Sequence, residues 1–161
     1  MSARFKQAGI APDTVFGADV TVVQPVNLYG CTIGDNSFIG PFVEIQRNAR
    51  VGRSCKVQSH TFICELVEIG DHCFIGHGVM FINDLFSGGG PAGGDTTKWK
   101  ATRIGNQVSI GSNATIRPVS VCDRTVIGAG AVVTRDITKP GIYAGNPARL
   151  IRAFDIPDQL T

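Results

Sequence analysis

An aliphatic or aromatic side chain returns at every sixth residue through Ile33, Ile39, Ile45, Val51, Val57, Ile63, Ile69, Ile75 and Phe81. The residue after it is often glycine (Gly34, Gly40, Gly52, Gly70, Gly76), and the residue four after it is small or β-branched: Ser37, Val43, Ala49, Cys55, Thr61, Val67, Cys73, Val79. The same register resumes at Ile104, Ile110 and Ile116 and again at Val121, Ile127 and Val133, and a weaker run at Ile10, Phe16 and Val22 precedes it. A helical stripe repeats every three to four residues and a half-buried strand every two, so neither satisfies a period of six. Three short strands per turn, one hexapeptide each, do satisfy it. Turns of about 18 residues then stack at about 4.8 Å, with the aliphatic side chain filling a triangular interior and the small one sitting near the corner. Glycine is expected in the second place for its tolerance of unusual backbone angles.

The pattern therefore predicts an all-β chain, a parallel β-helix of about six coils in a domain over 1–138, with 139–161 as a C-terminal cap segment of the same domain. Two interruptions are visible. Ile116 and Val121 are five apart, so one residue is missing at a corner. The segment 85–102, LFSGGGPAGGDTTKWKAT, is too rich in glycine and polar residues for a coil and is predicted to protrude as a loop, the kind of feature that carries function on a rigid scaffold.

Composition narrows the function classes. A net charge of +2 with 17% charged residues leaves no basic stripe for nucleic acid. No stretch of 18 apolar residues is present and the N-terminus lacks an apolar leader, so the expectation is no membrane span and a cytoplasmic location. The five cysteines are odd in number and lack CxxC spacing, which argues against a disulfide framework or a thiolate zinc site. Cys55 and Cys73 fall on interior positions. Cys64 and Cys122 occupy second places and are expected to face outward, with no paired histidine in sequence reach to mark a nucleophile.

Two segments carry a narrower signal: IGHGVMFINDLF (Ile75 to Phe86), together with NLYGCTIGDNSFIGPFVEIQ, and VIGAGAVVTRDITKPGIYAGNPARLI (Val126 to Ile151). They resemble the hexapeptide-repeat acyltransferases, and within these the bacterial sugar-nucleotide N-acetyltransferases that serve polysaccharide and O-antigen (lipopolysaccharide) precursor synthesis. The resemblance implies a left-handed coil, whereas parallel crossovers are normally right-handed. It also implies acetyl-CoA as acyl donor, a nucleotide-linked amino sugar as acceptor, no metal, and a homotrimer with active sites between subunits.

Residue by residue, the resemblance places Asn83 at the mouth of the loop as an active-site residue near the acceptor's amino group; otherwise Asn83 is a turn or ladder residue. Asp84 follows it, to orient or deprotonate the amine or simply to form a turn. Of three histidines, His77 stands in the third place of its hexapeptide, points outward and ranks first as a general base. His60 and His72 both stand in fourth places, also outward. Gly111, Ser112, Ala129 and Gly130 match the places that line the pantetheine, and Lys139, Arg149 and Arg152 would meet the phosphates of the cofactor. Outward polar residues of the middle coils, Glu44, Gln46, Gln58, His60 and Glu65, are candidates for reading the sugar. Where relatives carry Pro-Arg after the Asn-Asp-aromatic run, this chain has LFSGGGPAGGD, so the loop's contact with the nucleotide departs from the family.

The implied chemistry is direct attack of the amine on the thioester, with proximity and a backbone amide on the thioester carbonyl supplying most of the acceleration. The competing readings are CoA-dependent transfer to a hydroxyl, which leans harder on a histidine base, a γ-type zinc carbonic anhydrase on the same fold, for which the His72–His77 spacing of five is the one match, and a purely structural β-helix.

Overall fold

The computed structural model describes residues 7–154; the last residues of the expected cap, 155–161, lie outside the described residues. Three sheets of very short strands form the walls of a prism. The first holds Val15–Phe16, Thr32–Ile33, Arg50–Val51, Val67–Ile69, Thr102–Ile104 and Ser120–Val121. The second holds Thr21–Val22, Phe38–Ile39, Lys56–Val57, Phe74–Ile75, Ser109–Ile110, Val126–Ile127 and Gly141–Ala144, and is closed by the antiparallel Arg149–Ala153. The third holds Asn27–Leu28, Glu44–Ile45, Phe62–Ile63, Met80–Phe81, Thr115–Ile116 and Val132–Val133. Pairing within each sheet is parallel until that final strand, in a register that sets Ile33 against Val51 and Ile39 against Val57.

Six complete coils result, with partial coils at Ile10, bridged to Leu28, and from Ile137, bridged to Val121, through Ala144. The molecule is thus a β-helix of about seven turns, slightly longer than the period suggested, because the second sheet continues into the expected cap. The aliphatic ladder is the core: Leu28, Ile33, Ile39, Ile45, Val57, Ile63, Ile75, Phe81, Ile110 and Ile116 are all 0% exposed. Its partners four residues on, from Ser37 to Val79, are buried with it. At about 1.5–3 kcal/mol for each large side chain fully buried, this column drives the stacking. Buried hydroxyls are paired to the neighbouring corner, as Ser37 Oγ to the carbonyl of Gly52 at 2.8 Å and Thr61 Oγ to that of Gly76 at 2.8 Å.

The role expected of glycine needs correction. The second-place glycines Gly34, Gly52, Gly70 and Gly105 do not have positive φ; that conformation falls two residues later, on Asn36, Ser54, His72 and Gln107, with φ between 54° and 58°. Glycine is required in second place because the next coil lies against it: a Cβ on Gly34 would come within 2.7 Å of the Arg53 nitrogen and one on Gly76 within 2.7 Å of the Ser112 nitrogen. Cys64 is a related departure. It is 2% exposed instead of outward, since a second-place side chain faces the adjoining coil, and burial pushes its thiol up to about 12.

The loop leaves the prism after Met80–Phe81. It returns at Ala101, one residue earlier than 85–102 implied, because Thr102 is already in strand and 1% exposed. No helix among the described residues is long and apolar enough to cross a membrane.

Candidate functional site

Three corners join the sheets, and most of the candidate residues sort onto two of them. On the corner between second and third sheets, Ser59, His77, Ser112 and Ala129 stand in successive coils, flanked by His60, Gly78, Asn113 and Gly130. Backbone bonds fix this column: Gly78 N–H to the Ser59 carbonyl at 3.0 Å, Asn113 N–H to that of His77 at 2.8 Å, and Gly130 N–H to that of Ser112 at 2.9 Å. The structure therefore brings His77 and the four pantetheine candidates Gly111, Ser112, Ala129 and Gly130 together on one edge. His77 is exposed, and its Nδ1 lies 2.8 Å from Ser59 Oγ. Above it the column carries only the small side chains of Ser112 and Ala129, a narrow shelf along the corner. Ser59 was not singled out from the sequence; the signal that finds it is its place exactly one coil before His77.

His60 sits on the same corner but in the adjacent column, its ring stacked on Phe42 with centroids 4.9 Å apart. His72 lies on a different corner, between first and second sheets. Among the described residues no group of three or more His, Cys, Asp and Glu side chains could hold a metal ion.

The corner between third and first sheets carries the other half of the candidates. Asn83 is half-buried there, its Nδ2 donating to the carbonyl of Glu65 one coil below at 3.2 Å. Asp84 pins the root of the loop: its carboxylate accepts from Phe86 N–H at 2.9 Å and from Ala92 N–H at 2.7 Å. Both oxygens are thereby engaged in shaping the loop. Beneath Asn83 a hollow of about 680 Å³ is lined by Asp13, Asn27, Tyr29, Arg47 and Glu65 among others. On its flank Glu44 accepts one bond from Asn27 Nδ2 and one from Gln46 Nε2, each at 3.0 Å. Arg47 reaches Glu65 at 3.8 Å and lies 6.0 Å from the Tyr29 ring. Burial, with help from the Glu44 charge, raises the Tyr29 phenol above its ordinary value.

Of the acceptor candidates, Glu44, Gln46 and Glu65 thus gather with Asn27, Tyr29 and Arg47, which sequence reading passed over, whereas Gln58 and His60 stand on the other corner. The phosphate candidates also divide. Arg149 pairs with Ala144 at the end of the second sheet nearest Ala129, while Lys139 and Arg152 stand toward the opposite end of that strand. A larger hollow of about 990 Å³ runs along the first sheet. It holds none of these residues, and four of its six charged lining residues are paired with one another, Arg53 with Asp71 at 3.0 Å and Arg103 with Glu68 at 3.7 Å.

Residues 30–65 match the repeat described as bacterial transferase hexapeptide, and residues 101–135 match the hexapeptide repeat of succinyl-transferase. Galactoside O-acetyltransferase of Escherichia coli K12 is 33% identical over 139 residues, covering 80% of this chain and 66% of its own. The bifunctional protein GlmU of Mycolicibacterium vanbaalenii is 32% identical over 173 residues, covering 92% of this chain. The chain spans only 32% of that relative and 35% of the GlmU of Nostoc. Among solved structures, a point mutant of AntD, an N-acyltransferase from Bacillus cereus in complex with dTDP and coenzyme A, superposes with a TM-score of 0.75 at 23% identity, over 88% of this chain and 84% of that one. With matching repeats in both halves of the coil, this chain is a hexapeptide-repeat protein whose repeats are those described for bacterial transferases.

Proposed function

We propose that the chain is an acetyl-CoA-dependent N-acetyltransferase for the amino group of a nucleotide-linked amino sugar, working as a homotrimer. The observation that carries this reading is the His77–Ser59 pair at the foot of the small-residue shelf of Ser112 and Ala129. The 33% identical O-acetyltransferase supports acetyl transfer as the reaction class, and the INDLF run at the loop mouth supports the amino-sugar branch.

On this reading the thioester arm lies along the shelf and the acceptor occupies the hollow below Asn83. The amine nitrogen attacks the thioester carbon, the C–S bond breaks, and the proton lost by the amine passes through His77 to the departing thiolate. Within one subunit His77 and Asn83 sit at opposite ends of the Met80–Phe81 strand, up to about 20 Å of extended chain apart. On this reading the reacting centre takes His77 from one prism and Asn83 from its neighbour. That supports the trimer. His77 is bonded to a neutral hydroxyl instead of a carboxylate, which suits an amine, whose proton leaves readily, better than an alcohol.

Transfer to a sugar hydroxyl is the second reading, favoured by the O-acetyltransferase relative. Thiol release from acetyl-CoA, followed with UDP- and dTDP-linked 3-amino and 4-amino sugars beside galactoside and maltose, separates the two. Turnover confined to an amino sugar is expected. Turnover with a neutral sugar alone moves the assignment to the O-transferases, and none with any acceptor removes both.

A further inference from the structure

We infer that Ser59 is a positioning residue for His77: its hydroxyl accepts the Nδ1–H of the imidazole and so holds the ring in the tautomer whose Nε2 lone pair faces the shelf. The inference rests on the reading of His77 as base and adds what fixes its protonation pattern.

The geometry is specific. Ser59 and His77 occupy the same corner place one coil apart, and Ser59 Oγ lies 2.8 Å from Nδ1, its one hydrogen bond among the described residues. Both neighbours of the pair are locked by the backbone ladder, Gly78 N–H on the Ser59 carbonyl and Asn113 N–H on that of His77. The corner is otherwise uncharged. Its coils read Gly-Pro-Phe at 40–42, Gln-Ser-His at 58–60, Gly-His-Gly at 76–78, Gly-Ser-Asn at 111–113 and Gly-Ala-Gly at 128–130. The charged residues next along the chain are Lys56 and Glu44, on the two flanking sheets, and the one other titratable ring, His60, is turned onto Phe42.

A neutral imidazole has one nitrogen that donates and one that accepts, and the bond made by one decides the other. Among the described residues no carboxylate or carbonyl is bonded to the ring, so the Ser59 hydroxyl is the one side-chain partner that biases that choice. Ser59 is half-buried, so its own O–H is free to turn to water while Oγ accepts from Nδ1. A hydroxyl can also donate, which would reverse the ring and turn Nε2 into an N–H donor unable to take a proton.

The test reads the ring directly and needs no acceptor. In protein labelled with ¹⁵N-histidine, two-bond ¹H–¹⁵N correlations of neutral His77, identified by their loss in His77→Asn, should show the proton on Nδ1. Ser59→Ala should shift the population toward the Nε2–H form that free histidine prefers, and Ser59→Thr should restore the native pattern. Where the acceptor panel gives turnover, Ser59→Ala should lower kcat about tenfold, a part of the roughly 10²–10⁴ a positioned base contributes, with the KM for acetyl-CoA unchanged. A proton on Nε2 in the native protein, or an unchanged ring in Ser59→Ala, overturns the inference. A failed acceptor panel with the expected ring spectrum would remove the transferase reading and leave this one standing.

Discussion

Gly70 lies directly against Asn106 of the next coil: a Cβ on Gly70 would come 2.6 Å from Asn106 Oδ1, the same oxygen that accepts the Asp71 N–H at 2.8 Å. The relation repeats up the corner between first and second sheets. Asp35 accepts from Ala18 N–H, Asp71 from Arg53 N–H and Asn106 itself hands its N–H to Asp123, at 2.8, 3.0 and 2.8 Å. Glycine and carboxylate or amide are therefore one unit, the first making room for the second.

Gly70→Ala should lower stability by about 1–3 kcal/mol, the usual cost of forcing extra volume into a packed site. The cause would be the added methyl meeting both the Asn106 amide and the Gly105 backbone, whose carbonyl is 2.8 Å from the Cβ position. Urea unfolding measures it. Gly88→Ala, in open space on the loop, serves as the control and should be near neutral.

Cys64 offers a pH dependence. Burial holds its thiol protonated up to about 12, against an ordinary value of 9.0. Above pH 9 the unfolded chain releases that proton while the folded one keeps it, so the unfolded state binds fewer protons and stability falls as pH rises, until the folded thiol also ionises. One such group contributes at most about 1.4 kcal/mol per pH unit. Urea midpoints between pH 8 and 10.5, under reducing conditions, should decline less steeply in Cys64→Ala than in the native chain.

Asp84→Asn should free the loop without melting the prism. The carboxylate holds Phe86 and Ala92 N–H groups together across the glycine-rich tip, and the amide replacement retains only one accepting oxygen. Limited proteolysis should cut within 85–101 several-fold faster, with the urea midpoint of the coil little changed.

The fold was largely legible because the interior of the prism leaves one solution to a side chain every sixth residue, and the Ile33-to-Phe81 ladder is that solution written out. The turn count ran slightly short because Gly141–Ala144 adds a strand with no further repeat to announce it. Glycine's purpose was misread because a single hexapeptide shows the turn and hides the neighbouring coil that presses on it; Cys64 was misplaced for the same reason. The site was legible only in part. Linear spacing does not say which corner a residue occupies, so Gln58 and Glu65 were grouped although different corners hold them. Ser59 was passed over since a lone serine carries no signal until an 18-residue turn sets it under His77.

On the flank of the hollow, Glu44→Gln tests acceptor reading. Its carboxylate is held by Asn27 and Gln46, so the change should raise the acceptor's KM by about tenfold, or roughly 1.4 kcal/mol. kcat and the KM for acetyl-CoA should stay close to native, as steady-state kinetics at saturating donor would show.

The proposed trimer requires His77 of one subunit and Asn83 of another to serve one reaction centre. His77→Asn and Asn83→Ala, each inactive or nearly so alone, would be unfolded together, refolded as mixed assemblies and assayed by thiol release with the best acceptor. Random assembly of a trimer should pair an intact His77 with an intact Asn83 at about a quarter of the sites, and activity should return to about that fraction of native. Mixed assemblies as inactive as their parents would contradict the shared site.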